Sequence, residues 1–391
     1  MKVAILIERA QIGLGGAERS VSELTAELRR RGVEAVILAA KGDSSEQVRV
    51  LCDDRSGRRT SLKAFESAVE THLKDHRCDI IHSTLPVTGS DIYQPRGGSY
   101  RETMLRNIAS YPNPLVRCLK RSTHGLNVRR LEYLRAEKKV CSPGGRTILA
   151  ALSGYVKEQF RRHYGLADER ICVIGNGVNT DFNPELLHNN SRREMMCQLL
   201  QINPKRPGVF FLFAANNPRL KGLRPLLYAF KQAVERCPAV FPVLVAAGSR
   251  GLGPYGGLVR RLGLTGHVHT LNAAEGIWGL LAVCDAAVLP TYYDPCSRFI
   301  LEALAMGKPV ITSRYNGAAE RYRNGRHGMV VNEPDDVKGL AEALSYYCDP
   351  AKIDLARRAI DEDNLRQEVS IGKHAEQLIR LYETILCRKR N

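Results

Sequence analysis

Asp294 and Glu302, with seven residues between them, stand in a stretch running from Val288 to Val310 whose character changes twice. Its pattern predicts a buried strand over Ala286, Ala287, Val288 and Leu289, broken at Pro290, then a polar loop. A helix from about Arg298 to Met306 follows, stopped by Gly307. A loop of this kind lies at the carboxyl end of a parallel strand, where open α/β sheets bind ligands, and the helix that follows aims N–H groups at it. Ser297, Arg298 and Phe299 therefore offer amides to a phosphate, while the carboxylates of Asp294 and Glu302 suit sugar hydroxyls, because an ionised carboxylate accepts two hydrogen bonds at once. A plainer reading stands beside this one: Glu302 offsets its own helix dipole, and Asp294 is an ordinary loop acid. Arg219 and Lys221 occupy another strand-to-helix turn, after Val209–Ala214 and before an amphipathic helix through Arg236. Cations at such a turn can neutralise a leaving diphosphate.

Other residues along the chain are also of types that carry chemistry. Cys78-Asp79-Ile80-Ile81-His82 reads as a buried strand that brings His82 to the sheet's carboxyl edge, either as a substrate contact or as a hydrogen-bonded structural histidine. Arg96, in the turn-rich stretch from Gly89 to Tyr100, can with its neighbouring glycine amides bind an anionic group. Asp361-Glu362-Asp363 has the Asp-x-Asp spacing of metal-dependent sugar transferases, but it lies in a polar helical tail and reads as solvated acid. The eleven cysteines are scattered, odd in number and without Cys-x-x-Cys spacing, which predicts reduced thiols, no metal site and a cytoplasmic setting.

The elements that must position these residues are α/β throughout. The chain has 391 residues, 44% of them hydrophobic, which suits two globular domains. Val3–Ile7, a glycine-bearing loop, a helix from about Ala17 to Arg31 and a strand over Val33–Ala39 make a Rossmann-like opening. Glu18 stands where a dinucleotide fingerprint needs its last glycine, and no acid ends the second strand, so a dehydrogenase is disfavoured and no cofactor is expected. No apolar run approaches the roughly 18 residues of a membrane span. The net charge is +17, and Arg96–Lys139 carries eleven Lys/Arg against three Glu. Within that block, Val116, Leu119, Val128, Leu131 and Leu134 alternate with basic residues, a pattern of membrane-surface helices and also of any exposed helix packed on a core.

In order along the chain, the motifs resemble family 4 retaining glycosyltransferases. Gly15-Gly16-Ala17-Glu18-Arg19 is similar to that family's glycine loop, Glu169–Phe182 to its crossing between domains, and Lys221-Gly222 to its cationic turn. Asp294-x7-Glu302 followed by Ala303–Val310 resembles its paired-acid signature, with Asp where Glu is usual and Pro-Cys-Ser-Arg-Phe where Gly-Phe-Gly is usual. Gly89-x-Asp91-Ile92-Tyr93 and the basic block resemble bacterial lipopolysaccharide-core glucosyltransferases.

The resemblance implies a GT-B fold, two Rossmann-like α/β domains with parallel sheets facing across a cleft. The expected division is residues 1–177 with 374–391 and residues 178–373. It implies transfer of a hexose, glucose from UDP-glucose, to a lipid-linked or lipopolysaccharide-core acceptor, without a metal. Lys221, Arg219 and Asp294 would act at the reacting centre. Gly15, Gly16, Ser297, Arg298, Phe299, Glu302 and Asn272 would hold the donor, with the base near Leu271–Trp278. Arg96 and His82 would meet an anionic glycan acceptor. The basic stretch 96–139 would dock on the inner face of the cell membrane, and no nucleic-acid partner is expected. A nucleotide-sugar epimerase on the same fold, or a basic lipid- or nucleic-acid-binding protein without donor chemistry, are the alternatives.

Overall fold

The computed structural model describes residues 1–10, 16–52, 60–123, 127–182, 190–203, 208–248, 253–271 and 276–390. The chain divides into two compact units. One comprises Met1–Ile108, Pro112–Asn179 and Ile371–Asn391, and the other Ala109–Tyr111 and Thr180–Ser370.

The first unit contains β1 (Lys2–Arg9), α1 (Gly16–Arg30), β2 (Glu34–Lys41), β3 (Val48–Val50), α2 (Leu62–Asp75), β4 (Ile80–Ser83) and β5 (Ile92–Tyr93). It continues with α3 (Tyr100–Ala109), α4 (Pro114–Ser122), α5 (Val128–Val140), β6 (Ile148–Ala151), α6 (Gly154–Tyr164) and β7 (Ile171–Val173). Its strands form a parallel sheet in the order β3-β2-β1-β4-β5-β6-β7. Val3–Leu6 are fully buried, as expected of a central parallel strand covered on both faces. Ser153 caps α6, its Oγ accepting from the Val156 amide at 3.2 Å.

The second unit contains α7 (Asn190–Leu199), β8 (Gly208–Ala214), α8 (Leu223–Arg236), β9 (Phe241–Ala247), α9 (Gly256–Arg261), β10 (Val268–Leu271) and α10 (Ile277–Val283). Then come β11 (Ala286–Leu289), α11 (Arg298–Ala305), β12 (Val310–Ser313), β13 (Gly328–Val331), α12 (Val337–Tyr346), α13 (Pro350–Glu362) and α14 (Leu365–Glu368). Its parallel sheet runs β10-β9-β8-β11-β12-β13. The strand order reverses between β8 and β11, which makes the crevice at their carboxyl ends the topological switch point where such sheets bind ligands.

The last helix, α15 (Ile371–Arg390), belongs to the first unit. Ile371, Ala375, Leu378, Tyr382 and Ile385 recur at steps of four and three residues and enter the core beside Val21, Leu24 and Leu28 of α1. The sequence pattern predicts one helix over Leu355–Tyr382, but the structure breaks it twice. Asn364 adopts a left-handed conformation at φ +48°, which ends α13, and Ser370 separates α14 from α15. The turn-rich stretch from Gly89 to Tyr100 also contains the short strand β5, whose two residues sit between β4 and β6.

Candidate active site

In the second unit, the turn after β8 and the loop after β11 meet at the switch point. Gly222 makes the meeting possible. It adopts φ +82°, and a Cβ there would stand 2.0 Å from the Pro290 carbonyl oxygen, so only glycine lets the two backbones approach. Tyr292 donates its amide to the Leu220 carbonyl at 2.9 Å, and the Lys221 ammonium donates to the Tyr293 carbonyl at 3.0 Å. The same ammonium lies 2.6 Å from Asp294 Oδ2, with both side chains mostly shielded from solvent. Asp294 Oδ1 accepts the Cys296 amide at 3.2 Å. Asp294 is thus held on both oxygens, and its backbone is held as well. It donates its amide to the Tyr315 carbonyl and accepts from the Gly317 amide, each at 2.9 Å.

The helix α11 starts at this loop. Ser297 is its cap residue but makes no side-chain cap; its amide instead donates to Asn316 Oδ1 at 3.1 Å. The Ser297 amide is therefore engaged inside the protein, and the first-turn amides beyond it, Phe299 among them, carry the helix's positive end. Glu302 is 4% exposed and lies one turn along α11 from Arg298, with the guanidinium 3.4 Å from Oε1. Arg219 stacks 3.7 Å above the Tyr111 ring and donates to Ser110; residues 109–111 group with this unit. Phe182 and Trp278 stack at 5.1 Å, with the Arg366 guanidinium 4.3 Å from the Phe182 ring centre. The structure therefore joins Lys221 to Asp294 in the loop that leads into α11, and α11 with its cap carries Ser297, Arg298, Phe299 and Glu302. Asn272 lies outside the described residues.

In the first unit, Gly15 is also outside the described residues, and Gly16 opens α1. His82 is wholly buried, and its Nδ1 lies 2.7 Å from the Tyr382 hydroxyl of α15. Burial, with the nearby Arg96 charge, pushes its pKa down to about 3, so the ring is neutral at pH 7. A side chain with no exposure, hydrogen-bonded to the last helix through Nδ1, has the arrangement of a structural histidine, one of the two readings the sequence allows. Arg96 is half-buried and donates from Nη1 to Asn176 Oδ1 at 3.0 Å and to Ser20 Oγ at 3.2 Å. Its Nη2 approaches His374 Nε2 at 3.5 Å, while His374 Nδ1 lies 2.6 Å from the Gly175 carbonyl oxygen. Arginine only donates and a carbonyl only accepts, so this arrangement selects the neutral Nδ1–H tautomer of His374.

Two further features of the sequence take a definite place. Asp363 and Glu362 pair with Arg326 at 3.0 and 2.9 Å, so the Asp-x-Asp stretch is engaged with arginine. The basic block spans α3, α4 and α5. No residue of α4 is buried: Leu115 is 76% exposed and Leu119 61%, one turn apart on the helix that also carries Arg117, Lys120 and Arg121. By contrast α5 is anchored through Tyr133, Glu137 and Val140. Among the described residues, no helix is long and apolar enough to cross a membrane.

Asn316, Thr291 and Tyr315 position the crevice but carry no chemistry-bearing signal in the sequence. Only the Asn316-Gly317 pair hints at a turn, and a turn does not reveal which amides its side chain will hold.

Comparison with known proteins places this geometry. The model of glycosyltransferase family 4 matches residues 14–182, and that of group 1 glycosyl transferases matches residues 207–349. The chain is 25% identical over 350 residues to the lipopolysaccharide glucosyltransferase WaaG of Escherichia coli K12, covering 84% of this chain and 85% of that one. A crystal structure of WaaG, a glycosyltransferase involved in lipopolysaccharide biosynthesis, superposes with a TM-score of 0.67 at 21% identity, covering 98% and 95% of the two chains. HepE of Anabaena, solved in complex with UDP-glucose, superposes with a TM-score of 0.69 at 18% identity, covering 98% and 100%. With both halves matched, and in the order that the fold requires, the chain belongs to the glycosyltransferases of the GT-B fold, its first half a family 4 domain and its second half a group 1 domain.

Proposed function

We propose that this glycosyltransferase transfers glucose from UDP-glucose to a hydroxyl of a lipid-linked or lipopolysaccharide-core acceptor, with retention at the anomeric carbon and no essential metal. The observation that carries this reading is the meeting of Lys221 with Asp294 at the switch point, beside the amino terminus of α11. A departing diphosphate needs fixed positive charge, and Lys221 with the first-turn amides of α11 supplies it without reorganisation. Arg219 adds a second cation on the same turn. Glu302 takes the ribose hydroxyls, Asp294 the donor sugar, Asn272 the base, and the Gly15-Gly16 backbone approaches the phosphates. For this, Lys221 exchanges Asp294 for the diphosphate as the donor arrives, which releases the carboxylate toward the sugar. The leaving phosphate then takes the acceptor proton on the face from which it departs, so no separate base is required.

The similarity to WaaG, a lipopolysaccharide glucosyltransferase, supports the acceptor class, and HepE with UDP-glucose supports the donor. Arg96 in this reading meets an acceptor anion. The face of α4 supports docking at an anionic membrane on the cytoplasmic side: Leu115 and Leu119 would enter the interface and the flanking arginines and lysine would meet headgroups.

The test is thermal stabilisation of the protein by UDP, GDP, ADP and their glucose or mannose conjugates, run beside Glu302→Ala. Ligand at about 100 times its Kd adds roughly 2.7 kcal/mol. Stabilisation by uridine nucleotides alone, lost in Glu302→Ala, is the expected result. No stabilisation by any nucleotide would favour a basic lipid- or nucleic-acid-binding protein instead.

A further inference from the structure

Asn316 is 1% exposed, and its side chain makes three hydrogen bonds in three directions. Its Oδ1 accepts the Ser297 amide at 3.1 Å and the Ala318 amide at 3.1 Å. Its Nδ2 donates to Thr312 Oγ1 at 3.0 Å, and that hydroxyl donates onward to the Leu289 carbonyl at 2.7 Å. Two N–H groups on one side and a hydroxyl whose proton is already given away on the other fix the orientation of the amide. The result is a chain of hydrogen bonds from the end of β11, through β12, to the residue that caps α11.

We propose that Asn316 is a positioning residue for donor binding: by holding the Ser297 amide it fixes the amino terminus of α11, so that the amides beyond Ser297 face the donor diphosphate. This assignment rests on the donor site proposed above. Alanine at 316 leaves two buried amides without their acceptor and frees the cap to shift. Aspartate keeps both acceptor contacts, but it places a carboxylate beside the first turn, against the diphosphate and not against the base or ribose. A residue that merely supported the fold would affect all ligands alike, whereas a residue that sets the diphosphate amides discriminates between a nucleotide and its nucleoside.

The experiment measures binding of UDP, GDP and ADP and of the matching nucleosides to the wild type, Asn316→Ala and Asn316→Asp, with the melting temperature of each protein. Expected is a loss of about tenfold or more in affinity for the nucleoside diphosphate in both variants, with the nucleoside changed less than about twofold. Asn316→Asp keeps both amide contacts and can take the Thr312 hydroxyl proton only from the Leu289 carbonyl, so it should melt below the wild type but above Asn316→Ala, and it carries the test if Asn316→Ala does not fold. Equal weakening of nucleotide and nucleoside, or nucleotide binding unchanged within about twofold in the folded variants, overturns the role of Asn316 while leaving the donor site standing. A wild type that binds none of the three nucleotides overturns both.

Discussion

Lys221 and Asp294 neutralise one another at 2.6 Å from neighbouring loops, with side-chain exposures of 21% and 14%. Removing one partner from such a shielded pair leaves the other charge short of compensation, which is usually worse than removing both. Lys221→Ala is expected to lower unfolding free energy by about 1–3 kcal/mol in urea titrations, and Lys221→Ala with Asp294→Asn to recover most of that loss. Turnover should fall on the order of a hundredfold in Lys221→Ala, because the charge that receives the leaving diphosphate is gone. Full activity in Lys221→Ala would remove the lysine from the reaction. The residue types at this site were legible from sequence because the paired acids and the Lys221-Gly222 turn resemble motifs of a known family, in its order along the chain. Their mutual pairing was not legible, since 73 residues separate Lys221 from Asp294 and nothing local sets the distance.

At the scale of elements, one buried acid ties α5 to three of its neighbours. Glu137 accepts from Tyr93 at 2.9 Å, Tyr164 at 2.5 Å, the Tyr100 amide at 3.0 Å and Ser99 at 3.3 Å, and so joins α5 to β5, α3 and α6. Burial raises its pKa to about 7, and the hydrogen bonds from Tyr164, Tyr93, the Tyr100 amide and Ser99 only partly offset that rise. The folded state therefore keeps a proton that the unfolded chain has released. The stability this gives is complete below about pH 4.5 and is lost as pH rises through about 7, on the order of 3 kcal/mol in all. Glu137→Gln cannot titrate, so the difference in unfolding free energy between wild type and variant should change across that window and level off above it. A difference independent of pH from 4 to 8 would refute the assignment. In the sequence Glu137 is one of three Glu in a basic helical block and nothing local marks it as buried; only the packing of β5, α3 and α6 against α5 does so.

For the whole molecule, the net charge of +17 and the face of α4 bear on where the enzyme works. Binding to vesicles containing anionic lipid is expected to weaken as salt rises, because exposed charges are screened over about 8 Å at physiological ionic strength. Leu115→Asp with Leu119→Asp should reduce that binding severalfold while leaving the melting temperature nearly unchanged, since α4 buries none of its residues. Equal binding by wild type and variant in a cosedimentation assay would show that α4 is not the docking element.

The sequence alone determined the α/β class, the central strands, the position of α11 and the identity of the charged residues at two turns, because each depends on local periodicity, on glycine and proline, or on residue type. Tertiary structure decided the rest. It broke the predicted final helix at Asn364 and Ser370, buried His82 against Tyr382 some 300 positions away, and gave the Ser297 amide to Asn316. It also set β8 beside β11, and with them Lys221 beside Asp294. Each of these depends on contacts between residues distant in sequence, whose partners become defined only once the strands have taken their order in the sheet.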